Sequence, residues 1–188
     1  NPSFKETMKI YDDNLLTIVQ GKTLKNVCFI HSCNLKEKGT ESLDNLLNHI
    51  NVSGLMDNLD LIIINNFGIE IDSSKYESSN KIKLINYSEN PQLWELPTLK
   101  LMHYFSLQQS DKVNILYLHT KGITHNNGTP VYENVQDWIN YMLYFLVEKY
   151  EVCVDLLNRH DTVGLNYLVE PYKHWSGNYW WATSQHIS

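Results

Sequence analysis

The segment Asn114-Ile115-Leu116-Tyr117-Leu118-His119-Thr120-Lys121-Gly122 contains the clearest strand in the sequence, together with the polar residues that follow it. Its consecutive apolar residues make both faces apolar, which is typical of a strand covered on both sides in a parallel sheet. Thr120 and Lys121 come next, and Gly122 allows the backbone to turn tightly. The segment therefore predicts a central strand that delivers polar side chains at its carboxyl end.

Similar apolar runs alternate with helical patterns along the rest of the chain. Further strands are predicted over residues 27–31, 59–65, 82–85 and 163–167. Helices are predicted over residues 43–50, 96–109, 134–150 (with Asn134 as its N-cap) and 152–159, and a peripheral helix over residues 4–19. This alternation predicts one α/β domain over residues 1–188, with residues 1–25 as a peripheral N-terminal segment. We expect a mainly parallel central sheet with helices on both faces.

In open parallel sheets, ligands bind beyond the carboxyl ends of the strands, so polar residues at strand ends are the first candidates for a site. They are His31-Ser32, Asn65-Asn66, residues 86–89 and His119-Thr120-Lys121-Gly122. Lys121 suits a diphosphate, because an ammonium group ~4 Å from a phosphate oxygen contributes roughly 4 kcal/mol at intermediate dielectric. His119 and Thr120 can add hydrogen bonds to the same group. The alternative interpretation is a solvated strand end followed by a glycine turn.

The segment from His174 to Trp181 is rich in aromatic residues in a chain that contains five Trp and twelve Tyr. Aromatic faces suit stacking against a sugar ring, and Ser176 and Asn178 can hydrogen-bond its hydroxyl groups. The alternative is an aromatic cluster that fills the core. Side chains alternate along a strand, so we expect one of Trp180 and Trp181 to face the core and the other the cleft.

Glu95 and Thr98 lie at the entry of the helix predicted over residues 96–109. They either cap that helix or hold a ribose or base edge at the lip of the sheet.

Composition excludes several classes of function. With 15 basic and 21 acidic residues the net charge is -6, so the chain has no general attraction to nucleic acid or to anionic lipid. Cys28, Cys33 and Cys153 have neither the spacing of a disulfide framework nor that of zinc ligands, which favours a reducing, cytoplasmic location. No apolar run is long enough to span a bilayer. The glycine-rich nucleotide-binding motifs, the hydrolase elbow and the zinc-protease motif are absent.

Several of these segments, taken in order, resemble a known family. They are residues 27–31, Ser53-Gly54-Leu55, Glu95-Leu96-Pro97-Thr98-Leu99, Leu118-His119-Thr120-Lys121-Gly122, Asp137-Trp138 and residues 174–181. The pattern is similar to that of GT-A-type glycosyltransferase domains of large DNA viruses, such as chlorella viruses, and of bacterial surface-polysaccharide loci. The resemblance runs from about residue 26 to the end of the chain.

The resemblance implies a Rossmann-like GT-A sheet that binds a nucleotide diphosphate sugar, such as a UDP-sugar, and transfers a hexosyl or deoxyhexosyl group to a glycan hydroxyl. The nucleotide-sugar contacts it implies are His31, Ser32, Glu95, Thr98, Thr120 and Gly122. For catalysis our hypothesis names Lys121, His119, Asp137 and His174: Lys121 stabilises the departing nucleoside diphosphate, and Asp137, Glu170 and His174 are alternative bases. Contacts to the sugar and acceptor are implied for Trp175, Ser176, Gly177, Asn178, Trp180 and Trp181.

The sequence departs from this family at the strand end that usually carries Asp-x-Asp, where it has His119-Thr120-Lys121. Either Lys121 replaces the charge of the metal, or Mn²⁺ or Mg²⁺ binds through other groups. The missing motif also favours an alternative function, a non-catalytic carbohydrate- or nucleotide-binding module. We further expect a fused or partner domain, a C-terminal segment beyond residue 188 that completes the acceptor site, and a host-cytoplasmic location if the protein is viral.

Overall fold

The computed structural model describes residues 19, 23–35, 37–76, 79–125 and 128–188. The peripheral helix predicted over residues 4–19 lies outside the described residues, apart from Val19. The strands of the central sheet are β1 (Asn26–Asn34), β2 (Leu61–Gly68), β3 (Ile82–Ser88), β4 (Asn114–His119), β5 (Thr162–Gly164) and β8 (Trp180–Thr183). A separate small hairpin consists of β6 (Tyr167–Leu168) and β7 (His174–Trp175).

The described helices follow the strands in alternation. They are α1 (Glu37–Val52), α2 (Leu55–Asn58), α3 (Leu96–Leu107), α4 (Pro130–Leu143), a π-helical turn (Tyr144–Glu148), α5 (Tyr150–Leu156) and α6 (Ser184–Ile187). Across the described part of the chain, no helix combines the length and the apolarity that crossing a membrane requires.

The sheet has the strand order β3-β2-β1-β4-β8-β5, and its first four strands are parallel. β8 runs antiparallel to both of its neighbours, β4 and β5. The prediction of an α/β fold with a mainly parallel sheet is therefore confirmed. The chain leaves β1 toward β2 and β3 on one side and returns to add β4 on the other, so the strand order reverses at the gap between β1 and β4.

Alternate residues of the central strands point into two separate cores. Cys28 and Ile30 of β1 pack with residues of α1, α4 and α5, whereas Val27 and Phe29 pack with residues of α3. The same alternation holds for β2 and β4: Ile62, Ile64, Leu116 and Leu118 lie on the first side, and Leu61, Ile63, Ile115 and Tyr117 on the second. Helices thus cover both faces of the sheet, as the apolar strands predicted.

Three predicted boundaries are wrong near the C-terminal half. The long helix begins at Pro130 with Thr129 as its N-cap, because the Thr129 hydroxyl accepts a hydrogen bond from the backbone N–H of Tyr132, and Asn134 lies within the helix. Its predicted run to residue 150 is interrupted by the π-helical turn at Tyr144–Glu148. The strand predicted over residues 163–167 is divided between β5 and β6.

Gly68 allows β1 and β2 to approach each other closely at their carboxyl ends, and replacing it tests that approach. Its φ is +88°, and a Cβ there would overlap the backbone oxygen of Asn34, which also accepts a hydrogen bond from the N–H of Ile69. We expect Gly68→Ala to lower the free energy of unfolding by about 3 kcal/mol or more, since the backbone penalty of about 1–2 kcal/mol adds to the overlap. Gly54→Ala is the matched control, because Gly54 has φ +80° and open space around it. Urea unfolding that gave equal losses for the two variants would contradict the close approach.

Candidate functional site

Three polar side chains form a row across adjacent strands at one edge of the sheet. The parallel register pairs His31 of β1 with Asn65 of β2 on one side and with His119 of β4 on the other. All three occupy positions on the face covered by α3. Thr98 of α3 joins two of them, because its hydroxyl lies 2.9 Å from His31 Nδ1 and accepts a hydrogen bond of 3.1 Å from the Asn65 amide. His31 and His119 of this row also line a cavity at this edge of the sheet.

The first cavity has a volume of about 340 Å³ and lies beyond the ends of β1 and β4, where the strand order reverses. The strand ends are tied together there: the Thr120 N–H donates to the His31 carbonyl, and the Thr120 hydroxyl accepts from the Cys33 N–H, both at 2.9 Å. The segment before α3 forms the other wall. The lining polar and aromatic residues are His31, Gln92, Trp94, Glu95, His119, Thr120, Lys121 and Thr124.

Trp94 lines this cavity and remains 76% exposed. Its backbone has φ 54° and ψ -155°, a conformation that side-chain-bearing residues rarely adopt. A large apolar ring held out of the core in an unfavourable backbone conformation offers a flat face to whatever occupies the cavity.

Glu95 is fixed at the cavity by two hydrogen bonds. The Tyr117 hydroxyl donates to Glu95 Oε2 at 2.9 Å, and the amide of Asn178 donates to the same oxygen. The indole N–H of Trp180 in turn donates to the Asn178 carbonyl at 3.0 Å. The other carboxylate oxygen, Oε1, lies 3.5 Å from Nδ1 of His119. That separation is too long for a normal hydrogen bond, and this buried nitrogen has no hydrogen-bond partner.

Glu95 and Lys121 carry the opposite charges of the cavity. Burial raises the pKa of Glu95, although the hydrogen bond from Tyr117 and the charge of Lys121 oppose that change. Burial lowers the pKa of Lys121, and the charge of Glu95 opposes that change. Each group thus loses hydration, and the charge of the other group partly compensates for that loss. An anionic ligand beside Lys121 would therefore bind to an ammonium group that is poorly solvated.

The two histidines of the row are neutral at physiological pH. Burial lowers the pKa of His31 to about 4. Burial, followed by the nearby positive charge of Lys121, lowers the pKa of His119 to about 3. Their rings therefore serve as hydrogen-bonding groups and not as cations.

Comparison with known proteins gives one family match. Residues 27–188 match the model of a family described as a domain of unknown function (DUF8361). The chain belongs to this family. Neither the curated proteins nor the solved structures contain a match to it.

Within this family member, the structure brings together six of the residues singled out from the sequence. His31, Glu95, His119, Thr120, Lys121 and Gly122 all line the first cavity. Two others do not reach it. Ser32 is fully buried, and the hydroxyl of buried Thr98 is used by His31 and Asn65, so neither is available as a nucleotide contact.

The aromatic segment from His174 to Trp181 is mostly structural. Trp181 has no exposed surface and donates its indole N–H to the Leu146 carbonyl at 2.8 Å, so its predicted contact with a sugar is wrong. Its neighbour Trp180 packs against Tyr117 with 5.2 Å between ring centroids. The prediction that Trp181 and Trp180 alternate is confirmed only in that they enter different cores.

The rest of that segment forms a hairpin and a turn. The Trp175 ring packs where a Cβ on Gly164 would lie, and Gly177 approaches Trp138 and Met142 of α4 too closely for any side chain. Ser176 donates its backbone N–H to the carbonyls of residues 165 and 166. Of this segment, Asn178 is the residue that reaches the cavity residues, through Glu95.

None of the three bases suggested by the sequence lines the first cavity. Asp137 is exposed on α4 and Glu170 is exposed beyond β6, while Nδ1 of His174 lies 2.7 Å from the Tyr172 carbonyl. Glu95 is the carboxylate that lines the first cavity.

Sequence reasoning missed Trp94 as a site residue and missed a second cavity beside the first. The signal for Trp94 was a tryptophan in a short stretch between two prolines, Pro91 and Pro97. The second cavity combines α1 with α4, and no local pattern shows which faces of two distant helices meet.

A divalent metal is not supported by the side chains present. Within the described ranges, no group of three or more His, Cys, Asp or Glu side chains is arranged to hold a metal ion. Glu95 and the unpartnered His119 nitrogen supply at most two ligands, and Lys121 brings a positive charge to the same cavity. We therefore derive no step through a metal.

The buried histidines predict a steep dependence of stability on pH. A histidine in the unfolded chain is protonated below its pKa of about 6.5. In the folded protein His31 and His119 stay neutral down to their lowered pKa values of about 4 and about 3. The unfolded state thus binds more protons, and the free energy of unfolding falls as pH falls, by about 1.4 kcal/mol per pH unit for each histidine. The contribution is complete above about pH 6.5.

We expect His31→Gln to remove about half of that slope between about pH 5 and about pH 6, since one of two buried histidines is lost. His160→Gln, at an exposed position after α5, is the control and should leave the slope unchanged. Urea unfolding at a series of pH values measures both. An unchanged slope in His31→Gln would mean that His31 is protonated in the folded protein.

Proposed function

We propose that this protein is a glycosyltransferase that binds a nucleotide diphosphate sugar in the first cavity and transfers the sugar to a hydroxyl group. The observation that carries the proposal is the position of that cavity at the reversal of strand order between β1 and β4, with Lys121 at the strand end. Open α/β sheets bind nucleotides at such a point because the loops on either side diverge there. We also propose that the α/β fold of this chain has the Rossmann-like GT-A architecture.

The chemistry of the lining supports a nucleoside diphosphate. Trp94 provides an exposed ring on which a base can stack, and stacking on an aromatic side chain contributes about 1–3 kcal/mol per base. Lys121 provides a partly desolvated ammonium for the diphosphate. The cavity volume, about 340 Å³, lies in the range of small-molecule sites.

In the proposed reaction, the bond between the anomeric carbon and the diphosphate oxygen breaks, and its electron pair stays on that oxygen. Lys121 stabilises the developing charge. The acceptor hydroxyl oxygen forms the new bond to the anomeric carbon and releases its proton to a base.

We assign the role of base to Glu95. Its raised pKa brings the carboxylate closer to the working range of a general base. A proton on Oε1 would face Nδ1 of His119, which makes no hydrogen bond, and a shortening of their 3.5 Å separation in the complex would give that proton an acceptor. His119 thus acts as a positioning residue for the protonated carboxyl group.

Turnover of nucleotide sugars tests the proposal directly. The protein is incubated with UDP-, GDP- and dTDP-linked hexoses and deoxyhexoses, with and without Mn²⁺, and release of the nucleoside diphosphate is measured. Release supports the glycosyltransferase. Binding without release would instead support the alternative function, a carbohydrate- or nucleotide-binding module.

Lys121→Met tests the diphosphate contact while preserving most of the side-chain volume. We expect affinity for the bound nucleoside diphosphate to fall about 10- to 100-fold, because a hydrogen bond to a charged group contributes about 1.5–3 kcal/mol. Lys173→Met, at an exposed position in the β6–β7 connection, should bind like the wild type. Calorimetric titration measures both affinities, and an unchanged affinity in Lys121→Met would rule out this contact.

Trp94→Gly separates a ligand-binding role from a structural one. Glycine adopts positive φ without a Cβ penalty, so we expect the free energy of unfolding to stay constant or rise by about 1 kcal/mol. Affinity for the nucleoside diphosphate should fall by about tenfold or more as stacking is lost. Trp94→Phe keeps an aromatic face and should retain part of the affinity. Full affinity in Trp94→Gly would exclude stacking on this residue.

A further inference from the structure

A second cavity of about 250 Å³ lies beside the first, between α1 and α4. The two cavities share residues 121–123, which we call the shared segment. The shared segment runs close to α4: Gly122 has φ +77°, and a Cβ there would lie 3.0 Å from Val135 Cγ1 and 3.3 Å from Gln136 Nε2. A single stretch of backbone therefore separates two sites of different chemistry.

The lining of the second cavity is polar and electrically balanced. Glu41 contributes one negative charge and Lys121 one positive charge, and the remaining polar groups are neutral. Among these, three amides and two hydroxyls are contributed by Asn45, Gln136, Asn140, Ser42 and Tyr132. Amides and hydroxyls both donate and accept hydrogen bonds, which is the pattern that sugar hydroxyls require.

The apolar part of the lining completes this match. Leu46 and Ile139 are buried side chains that also line the cavity, and they supply apolar surface for the C–H groups of a ring. The volume is below the roughly 300–1,000 Å³ of sites for drug-sized ligands, so it suits one ring. The cavity has no excess positive charge, and the aromatic ring in its lining, that of Tyr132, is less exposed than Trp94, so the cavity is less suited to a nucleotide.

From these observations we infer that the second cavity is a binding site for a neutral saccharide unit, held between α1 and α4. Resting on the proposed function, this unit is the acceptor of the transfer. Its reacting hydroxyl then meets the donor at the shared segment, where Lys121 lines both cavities. In the segment from His174 to Trp181, which the sequence favoured for sugars, Trp181 is fully buried.

The site is tested by NMR titration of the ¹⁵N-labelled protein with methyl glycosides of glucose, galactose, mannose, rhamnose and fucose. We expect at least one glycoside to shift the side-chain amide signals of Asn45, Gln136 or Asn140. Shifts confined to residues 176–178 or to Trp94 would overturn the inference, as would the absence of shifts with every glycoside.

A matched pair of variants on α4 then tests the contact. Asn140 lines the cavity, whereas Asn134 is exposed on the same helix and does not line it. We expect Asn140→Ala to weaken binding of the active glycoside about tenfold and Asn134→Ala to leave it unchanged. Equal affinities in the two variants would overturn the inference. Both positions are exposed on α4, and alanine has a higher helix propensity than asparagine, so we expect both variants to fold.

Titration with UDP, GDP and dTDP keeps the two proposals apart. We expect nucleotide affinity to be unchanged in Asn140→Ala. A protein that binds a glycoside between α1 and α4 but binds no nucleotide would uphold the saccharide site and reject the proposed transfer. A protein that binds nucleotide but gives no glycoside shifts would reject the saccharide site and leave the proposed nucleotide site in place.

Discussion

The parallel pairing of β1 with both β2 and β4 is the constraint on which the remaining features depend. In-register pairing sets His31 between Asn65 and His119, and it extends beyond the strands through the hydrogen bonds of Thr120 to the His31 carbonyl and the Cys33 N–H. Because side chains alternate, a slip of one residue would move the polar row to the opposite face, away from Thr98. Such a slip would also remove Lys121 from the position at which the two cavities meet.

Much of the fold could be predicted from local pattern. Runs such as residues 115–118 and 61–64 are apolar at every position, and only a sheet covered on both sides buries all of them. β8 was harder to predict, because Trp180 and Trp181, its first two residues, are equally compatible with a loop, a core plug and a strand. Their assignment depends on β4 offering a free edge, which is a property of the assembled sheet. The start of α4 at Pro130 was missed because Asn134 is also a good N-cap residue.

The site was predictable where it depends on strand ends and unpredictable where it depends on packing between distant elements. His31, His119 and Lys121 follow from the rule that ligands bind at carboxyl ends of parallel strands. Ser32 also lies near the carboxyl end of β1, but side-chain alternation places it on the opposite face of the sheet from His31, where it is fully buried. Glu95 reaches the cavity because Tyr117 and Asn178 hold it, and these three residues are far apart in the chain. No spacing within a single element encodes such a contact.

Gly122 fits tightly against α4, and this fit bears on how a ligand in one cavity can affect the affinity for a ligand in the other. Because the backbone at Gly122 leaves almost no room beside Val135 and Gln136, a displacement of α4 is transmitted to the loop that carries Lys121. Thermodynamic linkage then requires reciprocity: if an occupant on one side of this loop changes affinity on the other by some factor, the reverse effect has the same size. Gly122 is thus the contact through which any such coupling between the two cavities would pass.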